Sequence, residues 1–463
     1  MKIEVEFDDK GLKYLQLYTE LKRMITKGEL KYKDRLPTIR QLSNDLNINT
    51  VTVSKAYNLL ESDGYISKKI GSGTYISIDI NSHQKIDGNS KNKYYRLDNA
   101  NPSLEMFPIE DFKKAINMAM EKEGAGIFAY DEEHGINELK EELNKYLYKY
   151  GIDTSTKNII IISGGQQGID ITTKAIVNYS DVVFVEEPTY PGAINIFKSR
   201  GAKVVSIPML DDGIDIGILK LKLEKIRPRL LYVMPNYQNP TGITYSIYKK
   251  KKILELAEEY DFYIIEDDFI SDLKFGKEQN KTLKSLDKNN RVIYIKSFSK
   301  ILMPGLRVGM ICVPNELIQT ITISKDNSDI ATSTLIQKSL YYYMKEFDWF
   351  RHIDYIEKIY TNRYEESKRY IKKHLGDKLD IIENNGGINF FLGLKRGYYS
   401  KDFCEYMKKK KILLLPGVLF YDDKIQDRHF RLNIATESID RIREAIDIIE
   451  ENIDDFYKEY EVK

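Results

Sequence analysis

Apolar residues recur at helical spacing through residues 12–27, where Leu12, Leu15, Leu17, Leu21, Met24 and Ile25 form one stripe and Gly28 closes the pattern. A second helix is expected after Leu36-Pro37-Thr38, with Thr38 placed to cap it and Ile39, Leu42 and Leu46 facing inward. The third starts behind Asn47-Ile48-Asn49 and runs through TVTVSKAYNLLES, with Val51, Val53, Ala56, Leu59 and Leu60 on its inner side and Asp63-Gly64 as its stop. Two short β-rich runs, at 65–67 and 74–77, flank Gly71-Ser72-Gly73, which reads as a hairpin closed by glycines. Three helices and a two-stranded wing make a winged helix-turn-helix.

Periodicity disappears between Asp79 and Leu97, where Asn, Ser, Lys, Gly and Asp dominate, so 79–97 is expected to be a linker between a domain at 1–78 and one at 98–463. Beyond it, strand-like and helix-like segments alternate. Strands are expected at 158–162, 181–185, 203–207, 230–234, 262–265 and 292–295, with helices such as 136–149, 166–178 and 248–260 between them. This predicts an α/β layer fold with a mainly parallel sheet.

Charge is uninformative over the whole chain, since 71 Lys+Arg meet 70 Asp+Glu in 463 residues. It is informative locally. Residues 11–80 hold eleven Lys/Arg against seven Asp/Glu, a balance of +4 that suits a DNA footprint. Asn49, Thr50 and Thr52 open the third helix with small polar groups able to reach phosphates and base edges, and Lys55 lies a turn further on. Two cysteines, Cys312 and Cys404, supply no disulfide framework, and the start MKIEVEFDDKG has no signal-peptide core. No apolar run is long enough to span a bilayer, so a cytoplasmic protein is expected. Five scattered histidines argue against a His-based metal site.

The unusual residues fall at the ends of the expected strands, where α/β sheets gather their ligands. The stretch RVIYIKSFSKILMPGLRVGM, 291–310, places Ser297, Ser299 and Lys300 just past a buried strand, with Arg307 following. An amine so placed can form a Schiff base with an aldehyde cofactor while the serines and arginine hold its phosphate; an ordinary surface lysine fits the same stretch. Ser163-Gly164-Gly165-Gln166 opens a helix and offers backbone N–H groups to a phosphate. Tyr190, in EEPTYPG, offers an aromatic face, and PNYQNPTG can aim the Asn239 amide. Glu266-Asp267-Asp268 ends an apolar strand, where a carboxylate can keep a pyridine nitrogen protonated or simply form a solvated acidic turn. Neighbouring strand residues face opposite ways, so only one aspartate can serve.

Two resemblances become specific on these residues. DRLPTIRQL, NTVTVSKAYNLLESDGYI and GSGTYI resemble the DNA-binding domain of GntR-type regulators, which implies DNA contacts from Arg35, Arg40, Thr50, Thr52, Lys55 and the wing glycines Gly71 and Gly73. Residues 98–463 resemble the fold-type I aminotransferases that use pyridoxal 5′-phosphate, with a small α+β subdomain mainly from about 330 to 463. That likeness implies Lys300 as the Schiff-base lysine, Asp267 as partner of the pyridine nitrogen, Asn239 at the cofactor's 3′-oxygen and Tyr190 as the stacking ring. Gly165, Gln166, Ser297, Ser299 and Arg307 would hold the phosphate, with Tyr130 reaching it from the second subunit of a homodimer. Arg431, in FRLNIA, would grip a carboxylate.

One departure stands out. The family's tyrosine donor to the 3′-oxygen is replaced here, because Phe269 and Ile270 occupy the matching positions. The pairing of the two halves resembles the MocR-type regulators. It implies a regulator that binds a double-stranded operator and responds when an amino-group effector forms an external aldimine at the Lys300 site. A working aminotransferase of α-amino acids, carrying an accessory DNA-binding domain, is the alternative.

Overall fold

The structure, a computed structural model, describes the chain except for residues 1–2, 4, 6, 8–10, 27–28, 31–33, 63–64, 70–72, 77–93, 130–133, 277–279, 423–426 and 461–463. It divides into two compact units, Met1–Lys93 and Tyr94–Lys463. The stops expected at Gly28 and Asp63-Gly64, the wing glycine Gly71, the site residue Tyr130 and nearly all of the expected linker lie outside the described residues.

The first unit contains helices α1 (Lys13–Thr26), α2 (Ile39–Asp45) and α3 (Thr50–Ser62) and strands β1 (Ile66–Lys69) and β2 (Gly73–Ile76). Thr38 caps α2 through its side chain, which accepts from the Gln41 N–H at 3.2 Å. Leu17, Leu21 and Ile25 of α1 pack with Val53, Ala56, Tyr57 and Leu60 of α3 in one core. Leu12, Leu15 and Val51 were expected on the inner faces but are exposed. The apolar stripe of a helical wheel is wider than the strip that three short helices can cover, and these residues sit in first turns. The buried Tyr57 hydroxyl donates to the Pro37 carbonyl at 2.9 Å, tying α3 to the segment ahead of α2.

In the second unit β3 (Tyr95–Arg96) comes first. The central sheet is built from β4 (Ile159–Ile162), β5 (Val182–Glu187), β6 (Lys203–Leu210), β7 (Gly213–Ile214), β8 (Leu230–Val233), β9 (Tyr263–Asp268), β10 (Val292–Ser297) and β11 (Gly309–Cys312), in the order β4-β11-β10-β9-β8-β5-β6-β7. Pairing is parallel from β6 through β5, β8 and β9 to β10, and antiparallel at β11 and β7. The Ile159–Ile162 run shows why such a strand forms. Ile159 and Ile161 enter the core on one face of the sheet and Ile160 and Ile162 the core on the other, so every position is apolar. A smaller antiparallel sheet joins β12 (Asp380–Ile381), β13 (Asn389–Gly393), β15 (Leu415–Pro416) and β16 (His429–Asn433), while β14 (Ile412–Leu413) pairs with β3.

The fold class expected from sequence is thus observed, with a mixed, mostly parallel sheet and a small C-terminal α+β layer. The end of the expected linker differs: residues 94–97 are structured, since Tyr95 and Arg96 pair with Ile412 and Leu413 and Leu97 is fully buried. Polar neighbours hid that strand. Among the described residues no helix is long and apolar enough to cross a membrane.

Candidate cofactor site

Carboxyl ends of β4, β5, β8, β9 and β10 converge on a cavity of about 410 Å³. Gly165, Gln166, Tyr190, Asn239, Asp267, Ser297, Ser299, Lys300, Arg307 and Arg431 all line it. These are the residues picked from the sequence, apart from Tyr130.

Strand register sorts the two aspartates. Asp267 lies opposite Ile295 and Asp268 opposite Lys296, so each pair shares a face. Asp267 faces the cavity and accepts from the Tyr232 hydroxyl at 2.6 Å. Asp268 turns the other way, where Lys296 lies 3.3 Å from it and also meets Asp272. Burial pushes the Asp267 carboxyl up to about 6, with Asp268 adding to the shift and Tyr232 opposing it.

The phosphate side is built from Gly164, Gly165 and Arg307. The helix Gly165–Ile176 starts at the cavity, and the first N–H groups of a helix have no partner within it. Gly164 has φ +92, and a Cβ there would come within 2.7 Å of the Arg307 guanidinium, so glycine is required for the turn and for the approach. Arg307, itself left-handed at φ 51, donates to the Ser163 carbonyl at 2.9 Å. Across the opening the Tyr190 hydroxyl donates to Gln166 at 2.8 Å, which fixes the ring at the mouth.

Arg431 reaches in from β16. It donates to Asn239 Oδ1 at 2.9 Å and to the Asp98 carbonyl at 2.7 Å, while its buried Nε has no partner. Among the described residues its hydrogen-bond acceptors are neutral, which leaves room for an anion, and burial lowers its pKa to about 10 against the pull of Asp98. Lys300 is pulled down to about 8 by burial, then by Arg431 and Arg307. Lys300, Arg307 and Arg431 line the cavity with Asp267 and Asp98, and the Asp98 carboxylate is paired with Arg96 at 2.9 Å, so positive charge is in excess and a ligand bearing negative charge fits. Phe269 lines the wall without a hydroxyl to offer.

Tyr232 and the Asp98 carbonyl were not foreseen. Tyr232 sits in the apolar run LLYV, where a buried phenol always needs a partner, but that partner is 35 residues away. On the first unit Arg35, Arg40, Thr50 and Lys55 are exposed and Thr52 is half-buried. Asn49, read as a candidate DNA contact, accepts from the Val51 N–H at 2.9 Å and so caps α3. Gly73 has φ +127, and a Cβ on it would come within 2.7 Å of Arg35 Nε, so the wing glycine makes room for that arginine. His374, Asp447 and Glu450 form a cluster with ligand-type geometry, but Glu450 accepts from His374 Nδ1 at 2.7 Å and Asp447 accepts from Tyr370 at 2.7 Å, as in an ordinary surface network.

The family model for aminotransferase class I and II matches residues 96–449. The chain belongs to that family. The model for bacterial regulatory proteins of the gntR family matches residues 13–76, so a GntR helix-turn-helix domain, a DNA-binding module, precedes the aminotransferase domain in one chain. This is the architecture of the MocR-type regulators. The probable rhizopine catabolism regulatory protein MocR of Rhizobium meliloti is 28% identical over 81% of this chain and 80% of its own. An aromatic-amino-acid aminotransferase of Thermococcus litoralis is 30% identical over 76% of this chain and 86% of its own. Among solved structures, a kynurenine aminotransferase of Pyrococcus horikoshii in complex with PMP superposes with a TM-score of 0.75, at 30% identity over 86% of this chain and 99% of that one. Pyridoxal 5′-phosphate is the cofactor of this family, and the cationic cavity with its open glycine turn fits it.

Proposed function

We propose that this protein is a pyridoxal 5′-phosphate-dependent regulator that binds operator DNA through its first unit and answers to an amino-group effector received in the cavity of its second. The observation that carries this reading is a cavity that gathers the Lys300 amine, the Asp267 carboxylate and the Arg307 and Arg431 guanidinium groups, in a chain that also carries a GntR domain. When bound, the cofactor supplies an aldehyde that condenses with primary amines and a pyridine ring that withdraws electrons from the carbon beside it.

The chain's own groups are suited to that chemistry. With its pKa near 8, Lys300 keeps roughly a tenth of its amine neutral, and so nucleophilic, at pH 7. Asp267 holds a proton at the ring nitrogen, and Tyr190 covers the ring. Gly165, Gln166, Ser297, Ser299 and Arg307 receive the phosphate, joined in this reading by Tyr130 of a second subunit. Asn239, whose amide oxygen is taken by Arg431, presents its NH₂ group to the cofactor's 3′-oxygen. Arg431 meets an effector carboxylate, and its unpartnered Nε supports that role.

The same arginine connects the site to the chain arriving from the first unit. Arg431 holds the Asp98 carbonyl, and the Thr436 hydroxyl lies 2.8 Å from the Asn101 carbonyl and 3.0 Å from that of Asn99. An effector that redirects Arg431 therefore acts on residues 98–101, which follow β3. Large apolar side chains left exposed at Leu104, Ile109, Met120 and Phe128 support a homodimer.

A second reading, a working aminotransferase, is favoured by the nearly complete set of cavity groups. One experiment separates the two. Purified full-length protein loaded with the cofactor is titrated with a panel of amino acids and amines, following absorbance, oxo-acid release and affinity for the DNA upstream of its own coding sequence. A regulator changes colour and DNA affinity without stoichiometric oxo-acid. Stoichiometric oxo-acid with unchanged DNA affinity establishes the enzyme instead.

A further inference from the structure

We propose that Tyr232 is a positioning residue for Asp267: its phenol aims the carboxylate into the cavity and keeps it ionised, so that the cofactor's ring nitrogen meets an anion. This rests on the reading above that the cofactor ring lies against Asp267.

The register dictates the contact. Tyr232 of β8 lies opposite Ile265 of β9, and Asp267 is two residues further along the same strand. A step of two returns to the same face, so a long side chain at 232 reaches diagonally to 267. The hydroxyl does so at 2.6 Å, and the ring is fully buried against Phe197, with centroids 5.8 Å apart. A phenol has one proton to donate, and here Asp267 Oδ2 receives it. Burial and the neighbouring carboxylate hold the Tyr232 pKa well above 10, so it remains a donor throughout the useful pH range.

The surrounding charges leave this contact in a deciding position. Burial and Asp268 favour the neutral form of Asp267, while Tyr232 and Lys296 favour the ionised one. Lys296 is committed on the far face, between Asp268 and Asp272. Tyr190 is a neutral phenol on the cavity side. Lys300, Arg307 and Arg431 line the same cavity, where a bound phosphate and carboxylate would take up their charge. Among the described residues, what remains as a direct hydrogen-bond partner of the Asp267 carboxylate is the Tyr232 hydroxyl. Without it the carboxyl retains its proton to higher pH, and a neutral acid at the ring nitrogen gives up the attraction between unlike charges.

The test is cofactor affinity of the apoprotein, measured from pH 5.5 to 9 by absorbance and tyrosine fluorescence. In the native protein, log affinity should show a bend near pH 6 that Asp267→Asn abolishes. Tyr232→Phe should move that bend upward by about one unit, so that affinity falls about eightfold at pH 5.5, about threefold at pH 6.5 and hardly at all at pH 8.5. Site-specific 3-fluorotyrosine at position 232, a stronger donor of nearly the same shape, should move it down, and it serves equally if the phenylalanine variant does not fold. An equal loss at every pH, or an unmoved bend in both variants, would overturn the proposal. Failure of the native protein to bind the cofactor, or a native profile indifferent to Asp267→Asn, would instead overturn the underlying reading of the cavity.

Discussion

The environment of Lys300 sets its protonation: burial and the two guanidinium groups of Arg431 and Arg307 lower its affinity for a proton. The sign is definite. A lowered lysine pKa enlarges the neutral fraction, so the rate at which apoprotein captures cofactor should climb about tenfold per unit up to about pH 8 and then level off. Stopped-flow absorbance checks this, and a rate still rising steeply at pH 10 would be the signature of an ordinary lysine. Arg431→Gln should raise the levelling point and weaken carboxylate-bearing effectors by about a hundredfold, as expected for a charge-assisted pair. Amines lacking a carboxylate should be little affected, which a parallel titration reads directly. The polar residues at strand ends were legible in the sequence because catalytic residue types interrupt apolar runs there. The contacts that tune them were not, because Tyr232 and Asp98 reach the site from positions whose residue types are ordinary.

Elements set these residues in place, and two of them offer clean tests. Glu186, at the end of β5, accepts from Tyr245, from the Met234 N–H and from Gln238, and it lies within reach of Thr189. All are donors, and together they anchor the loop that carries Asn239, while burial pushes the acid up to about 7. Glu186→Gln sets an NH₂ group against those donors. It should cost about 2 kcal/mol, read as a lower Tm together with weaker cofactor binding. In the first unit, Gly73→Ala meets both a positive φ and the Arg35 side chain. We expect at least a tenfold loss of DNA affinity in a binding titration, with the cofactor spectrum unchanged. The parallel strands were legible from sequence because each contains a short apolar run, mostly β-branched or aromatic, between turn signals. By contrast β11, four residues of GMIC, carries no such signal and is defined only by pairing with β10 and β4. The exposure of Leu12, Leu15 and Val51 likewise depends on which faces the unit covers, and periodicity alone does not decide that.

At the scale of the molecule, a GntR DNA-binding domain and an aminotransferase domain share one chain, and the proposed regulation couples them. A switch from 1:99 to 99:1 requires the effector to prefer one state by about 10⁴-fold, or about 5.5 kcal/mol. A carboxylate newly paired with Arg431 would contribute about 1.5–3 kcal/mol of that difference. The proposed route runs through residues 98–101, so Thr436→Val should preserve the effector's spectral change and remove most of its influence on DNA affinity. Amide hydrogen exchange at 94–101, which should slow or quicken on effector binding in the native protein, follows the same route. Everything rests on one amine carrying the cofactor. The most direct measurement is borohydride reduction of the cofactor-loaded full-length protein followed by peptide mapping. A single phosphopyridoxyl label on Lys300, absent from Lys300→Ala, is the predicted result; a label on another lysine, or none, would contradict the account.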